Sequence, residues 1–132
     1  MHKAPLHILM VDDDADDRQF FEEAINEIDP EIACYFAFDG IQALDILNTL
    51  QPLPDYLFLD LNMPRMGGKQ CLKEIKKDPR LTNIPVIIYS TSKFVKEEAE
   101  VLKLGAYYFM QKPSNFDEIR EFISDVITGE VD

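Results

Sequence analysis

The sequence predicts an α/β domain on a parallel five-stranded sheet, for three reasons. Five short apolar runs alternate with five stretches whose apolar residues recur at helical spacing. The alternation is strict, so neighbouring parallel strands need crossover helices, which are right-handed and cover both faces of the sheet. Polar residues close the runs, as expected where strands enter loops.

Leu6 to Val11 (LHILMV) is the first buried strand and closes on Asp12, Asp13 and Asp14. From Asp16 onward Phe20, Ala24 and Ile28 recur at helical spacing, Phe21 and Ile25 broaden the stripe, and Asp29-Pro30 stops the helix. Ile32 to Phe38 is a β-rich second strand. Asp39 then opens a helix with Gln42 three residues on, a capping-box pattern, and that helix carries Ile41, Leu44 and Leu47.

Tyr56 to Leu59 is a third strand ending in Asp60. Asn62-Met63-Pro64 and Gly67-Gly68 lead from it into a helix with Cys71, Leu72 and Ile75. Asp78-Pro79 ends that helix, and Ile84 to Tyr89 forms strand four, with Pro85 near its start where a missing donor costs least. Ser90-Thr91-Ser92 follows. Val95, Ala99 and Leu102 share one helical face up to Gly105, and Ala106 to Met110 is a fifth strand ahead of Lys112-Pro113. Ser114 with Asp117 caps the last helix, whose buried stripe is Phe116, Ile119, Phe122, Ile123 and Val126. The count closes at (βα)5, and the expected fold is flavodoxin-like and doubly wound, with strand order 2-1-3-4-5.

A chain of 132 residues is the size of one domain, so residues 1–132 are expected to form a single unit without an effector domain, residues 128–132 being too short for a linker. Hydrophobic residues at 46% and charged residues at 29% are the balance of a chain that packs a core. Acidic residues outnumber basic ones 25 to 13, a formal charge of −12, which repels duplex DNA and anionic membranes. No segment approaches the roughly 20 apolar residues of a membrane span and none reads as a signal peptide, so a cytoplasmic location is expected. Cys34 and Cys71 lack CxxC spacing and read as two reduced, packed thiols. His2 and His7 have no partner pattern around them.

In a doubly wound sheet the ligand crevice lies beyond the carboxyl ends of the strands, where strand order reverses. Strand one delivers Asp12 and Asp13 there, strand three Asp60, strand four Ser90 and strand five Lys112. Carboxylates brought together repel, and a hard divalent cation between them relieves that repulsion; Mg²⁺ fits, and Mn²⁺ would substitute. Such a cation also neutralises an incoming phosphoryl group, to which Lys112 offers a positive charge and Ser90 a hydrogen bond, leaving Asp60 as nucleophile.

Structural readings stand beside these. Asp14, Asp16 and Asp17 read as acids at a helix N-terminus, where the dipole favours each by about 0.3 to 1 kcal/mol. Asp12 and Asp13 could be capping residues, but their pairing at a strand end opposite Asp60 favours ligation. Ser90 could simply start the fourth helix, but Thr91 or Ser92 can do so equally well, which leaves Ser90 for the phosphoryl group. Lys112 precedes a proline and is held extended, unlike an ordinary solvated lysine. Tyr107 and Tyr108 read as core or edge aromatics.

VDD at the end of strand one, D-x-N-M-P from Asp60, a Ser followed by a small polar residue after strand four, and K-P after strand five together resemble the receiver domain of two-component signalling, over about Leu6 to Ile127. The VDDDADDR opening and the DPRLTNIPVIIYSTS segment resemble the standalone receivers that include cyanobacterial phytochrome response regulators. The resemblance implies that Asp60 accepts a phosphoryl group from a sensor histidine kinase or histidine phosphotransfer protein. It implies further that Asp13, Asp60 and the Asn62 carbonyl ligate Mg²⁺, that Asp12 holds the metal through water, and that Lys112 and Ser90 engage the phosphoryl oxygens. It also implies a switch in which Ser90 moves towards Asp60 and Phe109 rotates into the vacated space. The chain departs from the commonest pattern at Ser90, at Thr91, whose bulk is expected to slow attack by water, and at Phe109, which lacks a hydroxyl.

On this reading the chain is no enzyme beyond accepting and losing its own phosphoryl group. Output passes through protein contact, either as a switch that binds a downstream protein or as a carrier that passes the phosphoryl group to a histidine on another protein. The resemblance implies a read-out face on the fourth helix, fifth strand and last helix, with Lys96, Lys103, Tyr108 and Glu118, a surface that also suits a homodimer. Two rival readings remain, an Asp-nucleophile phosphohydrolase and a receiver-like scaffold that is not phosphorylated. The first is disfavoured because such hydrolases resemble D-x-D, and Asn62 cannot serve as the proton-transferring second aspartate.

Overall fold

The computed structural model describes residues 5–91 and 95–129. Its elements are β1 (His7–Val11), α1 (Ala15–Ile28), β2 (Ala33–Ala37), α2 (Gly40–Thr49), β3 (Tyr56–Leu59), α3 (Gly68–Lys77), β4 (Val86–Ser90), α4 (Val95–Lys103), β5 (Tyr108–Gln111) and α5 (Phe116–Thr128). All strand pairs are parallel, in the order β2-β1-β3-β4-β5. The expected flavodoxin-like fold and strand order are therefore observed.

Strand pleating sorts the core into two layers, because successive side chains point to opposite faces. Leu9, Val11, Leu57, Leu59, Val86 and Ile88 pack against Ala43 and Leu47 of α2, Cys71, Leu72 and Ile75 of α3, and Val101 of α4. Ile8, Met10, Phe58, Ile87 and Tyr89 pack against Phe21, Ala24 and Ile25 of α1 and Ile119, Phe122, Ile123 and Val126 of α5. Both faces of the central strands are covered, which is why they read as unbroken apolar runs rather than alternating ones. Cys34 is half-buried and Cys71 buried, neither is in a disulfide, and burial pushes both thiols up to about 12.

The helix faces differ from expectation in three places. In α1 the core is Phe21, Ala24 and Ile25, whereas Phe20 is 47% exposed. In α2 the core residues are Ala43 and Leu47, and Ile41 lies towards solvent. In α4 the expected face is the wrong one: Val95 is 82% exposed, Ala99 and Leu102 are exposed, and Val101 enters the core. A nine-residue helix with few apolar positions supports more than one face by periodicity, and docking selects among them.

Boundaries shift as well. The fifth strand begins at Tyr108 rather than Ala106, because the Ala106 N–H donates back to the Val101 carbonyl at the end of α4. Strand four begins at Val86, since the Ile84 N–H closes a turn onto Leu81. The cap of α5 is Asn115, whose Oδ1 accepts from the Glu118 N–H, in place of the Ser114–Asp117 pair. Asp39 caps α2 as expected, and Gln42 reaches back to accept from the Phe38 N–H. Ser92, His2 and residues 130–132 lie outside the described residues.

Candidate functional site

β1 and β3 are adjacent while β2 lies on the far side of β1, so strand order reverses at their carboxyl ends and a crevice opens there. Asp12 directly follows β1. Its N–H continues the ladder to the Ala37 carbonyl at 3.0 Å, and its side chain is fully buried. Asp60 directly follows β3, with its N–H on the Val11 carbonyl at 3.0 Å and 6% of its surface exposed. The ladder therefore sets both carboxylates side by side, and Asp13 adds an exposed third. One oxygen from each of Asp12, Asp13 and Asp60 lies within 4.8 Å of the others.

Lys112 enters from the end of β5, its N–H bonded to the Ser90 carbonyl at 2.8 Å. Its ammonium is 2.7 Å from Asp12 Oδ2, 2.7 Å from Asp17 Oδ2 and 3.7 Å from Asp60 Oδ2. Ser90 is fully buried at the end of β4, in register with Gln111. The Asn62 N–H is 3.5 Å from Asp60 Oδ1, at the limit of a hydrogen bond. Phe109 pairs with Ile88 and packs on the α2–α3–α4 side of the sheet, two residues before the end of β5.

Burial raises the Asp60 carboxyl to about 6, against the pull of the Lys112 ammonium and with a further push from Asp12. Burial likewise raises Asp12, opposed by Lys112 and by the Asp14 N–H. For Lys112 burial acts downward, but its hydrogen bond to Asp17 and its close charge partners Asp12 and Asp60 win, and it stays firmly protonated. The cluster thus holds more negative charge than one ammonium balances.

Asp12 Oδ2 shows the consequence. It is buried and lacks a directed hydrogen bond, because Lys112 approaches within ion-pair distance but off line. A buried carboxylate oxygen in this condition, beside two further carboxylates, fits a hard oxygen-seeking divalent cation. Asp12, Asp13 and Asp60 would hold it.

Gly68 allows the strand-end carboxylate its place. A Cβ there would lie 2.2 Å from the Asp60 carbonyl oxygen and 2.8 Å from the Leu61 Cα, so only glycine lets α3 start this close to Asp60.

The sequence brings Asp12, Asp13, Asp60 and Lys112 together as expected, with Ser90 at the adjoining strand end. It gave no notice of Asp17, read there as a helix-terminal acid, nor of Arg18, whose Nη1 donates to the Asp12 carbonyl at 2.8 Å and whose guanidinium lies 4.3 Å from the Phe38 ring centre. The available signal for Asp17 was its place in the first turn of α1, the turn that begins at the mouth of the crevice.

Residues 8–124 match the response regulator receiver domain family. The chain belongs to that family. Response regulator Rcp1 of Synechocystis sp. is 26% identical over 127 residues, covering 92% of this chain and 86% of that protein. A protein-glutamate methylesterase/protein-glutamine glutaminase of Methanococcoides burtonii is 34% identical over 122 residues, 91% of this chain but 33% of that protein, so the chain spans about a third of such relatives and matches only their receiver part. Among solved structures, the phosphorylated cyanobacterial phytochrome response regulator RcpA superposes with a TM-score of 0.86 at 27% identity, covering 93% of this chain and 91% of that one. The Mn²⁺-bound form of Rcp1 gives 0.83 at 26% identity, with 94% and 93% covered. The cyanobacterial phytochrome regulators are thus close relatives of this receiver in sequence and structure. Among the described residues no helix is long and apolar enough to cross a membrane.

Proposed function

We propose that this receiver accepts a phosphoryl group on Asp60 and, in doing so, changes a protein-binding surface. The observation that carries the proposal is the buried Asp60 carboxylate at the end of β3, with Lys112 Nζ at 3.7 Å and oxygens of Asp12 and Asp13 within 4.8 Å. An Asp60 oxygen attacks phosphorus, forming the acyl phosphate as the bond to the donor's imidazole nitrogen breaks and the donor recovers that electron pair. Lys112 and Ser90 hold the phosphoryl oxygens, and Asn62 leaves the site without the second aspartate that would drive turnover of a substrate. Mg²⁺, for which Mn²⁺ substitutes, supplies charge neutralisation when held by Asp12, Asp13, Asp60 and the Asn62 carbonyl.

The donor is a sensor histidine kinase or histidine phosphotransfer protein, and output passes to a downstream protein, with Ser90 and Phe109 as the moving pair. Lys96, Lys103 and Glu118 are exposed and Tyr108 half-buried, which suits a contact surface for that partner or for a second copy. The net charge of −12 disfavours DNA and anionic membranes as direct partners. The test is incubation with acetyl phosphate and Mg²⁺ followed by intact-mass analysis. One phosphoryl adduct is expected, absent without metal and absent in Asp60→Ala. An unmodified mass, or an adduct that survives Asp60→Ala, overturns the proposal.

A further inference from the structure

We infer that Asp17 is a positioning residue for Lys112, holding its ammonium towards α1 and away from Asp60 until a phosphoryl group competes for it. The inference rests on the phosphoryl-acceptor reading above. Three carboxylates lie within reach of Lys112 Nζ, and they are not equivalent. Asp17 Oδ2 takes a directed hydrogen bond at 2.7 Å, Asp12 Oδ2 is equally near but off line, and Asp60 Oδ2 is a full ångström farther.

Asp17 is well placed to compete and well placed to yield. Its backbone is fixed in the first turn of α1, where its N–H is held by the Asp14 cap at 3.1 Å, so its carboxylate starts from a defined position. Its side chain is 31% exposed while that of Lys112 is 9% exposed. A hollow of about 230 Å³ beside the pair, lined by Asp17, Phe20, Tyr89, Lys112, Ser114 and Phe116 among others, leaves the carboxylate room to turn outward. Asp12 keeps its own hold on Lys112 throughout.

Two consequences slow phosphoryl uptake. The ammonium is partly engaged before the donor arrives, and Asp17 adds a negative charge near the path of an anionic donor. With acetyl phosphate the step balances without a proton: the Asp60 oxygen–phosphorus bond forms, the acetyl oxygen–phosphorus bond breaks, and acetate leaves as a carboxylate.

The experiment follows uptake from acetyl phosphate with Mg²⁺ by time-resolved intact mass in the unmodified protein, Asp17→Asn, Asp17→Ser and Asp17→Glu, and records the Lys112 13Cε resonance of each, assigned through its loss in Lys112→Arg. Uptake about three- to tenfold faster is expected in the Asn and Ser variants, in line with the strength of a partly exposed ion pair. The resonance should shift in both, and Asp17→Glu should restore both readouts. An unchanged or slower rate, or acceleration without movement of the Lys112 signal, overturns the positioning role. Absence of any adduct in the unmodified protein instead removes the acceptor reading itself.

Discussion

Asp39 accepts two hydrogen bonds on Oδ2 from the Arg65 guanidinium, at 2.8 Å from Nε and 2.5 Å from Nη2, while its Oδ1 caps α2 through the Gln42 N–H at 2.9 Å. One buried carboxylate therefore ties the start of α2 to the loop after β3, the loop that carries Asn62. Arg65 adopts a left-handed φ of 62° to make this reach, and the Gly40 N–H bonds the Met66 carbonyl alongside at 2.9 Å.

Asp39→Ala removes cap and ion pair together and should cost about 2 kcal/mol of stability, the upper part of the capping range. Arg65→Ala should cost about 1 kcal/mol or less, because the arginine side chain is largely exposed. Urea denaturation of both variants checks the ranking, and equal losses would refute it.

Gly68→Ala should be far more severe than either. The added methyl meets backbone atoms of Asp60 and Leu61 that cannot swing aside, so α3 must move off the loop after β3. A loss of about 3 kcal/mol or more is expected, together with weaker divalent-ion binding, read by thermal unfolding with and without Mg²⁺.

The metal itself should stabilise the fold. A ligand bound only by the folded chain contributes about 2.7 kcal/mol at a hundredfold excess over its Kd. Mg²⁺ and Mn²⁺ should both raise Tm, and Asp13→Ala should abolish most of that gain with little change in the metal-free Tm, since Asp13 is exposed. An undiminished gain in Asp13→Ala would remove it from the ligand set.

In metal-free protein Asp60 should titrate near 6, as read from its side-chain 13C carboxyl resonance. Its unfolded value is about 3.9, so between about pH 4 and 6 the folded chain binds the extra proton and stability declines as pH rises. Asp39 acts the other way: the Gln42 N–H, with Arg65, outweighs burial and lowers its pKa, so its stabilisation is present above its unfolded value and is lost as pH falls further. Asp60→Asn should flatten the upper slope and leave the acid limb intact.

Much of this protein was legible without coordinates. Alternating apolar runs and helical stripes dictate a parallel sheet, and parallel strands bring their carboxyl ends to one edge, so Asp12, Asp13, Asp60, Ser90 and Lys112 had to share a mouth whatever the loops did. The tertiary structure alone decided which face of α4 meets the core, that Asp17 takes the directed bond from a lysine 95 residues away, and that Arg65 clamps Asp39 across 26. The physical reason is that periodicity and chain direction are local properties written along the sequence, whereas the rotation of a short helix and the pairing of remote charges depend on how finished elements dock, which leaves no repeating trace in the order of residues.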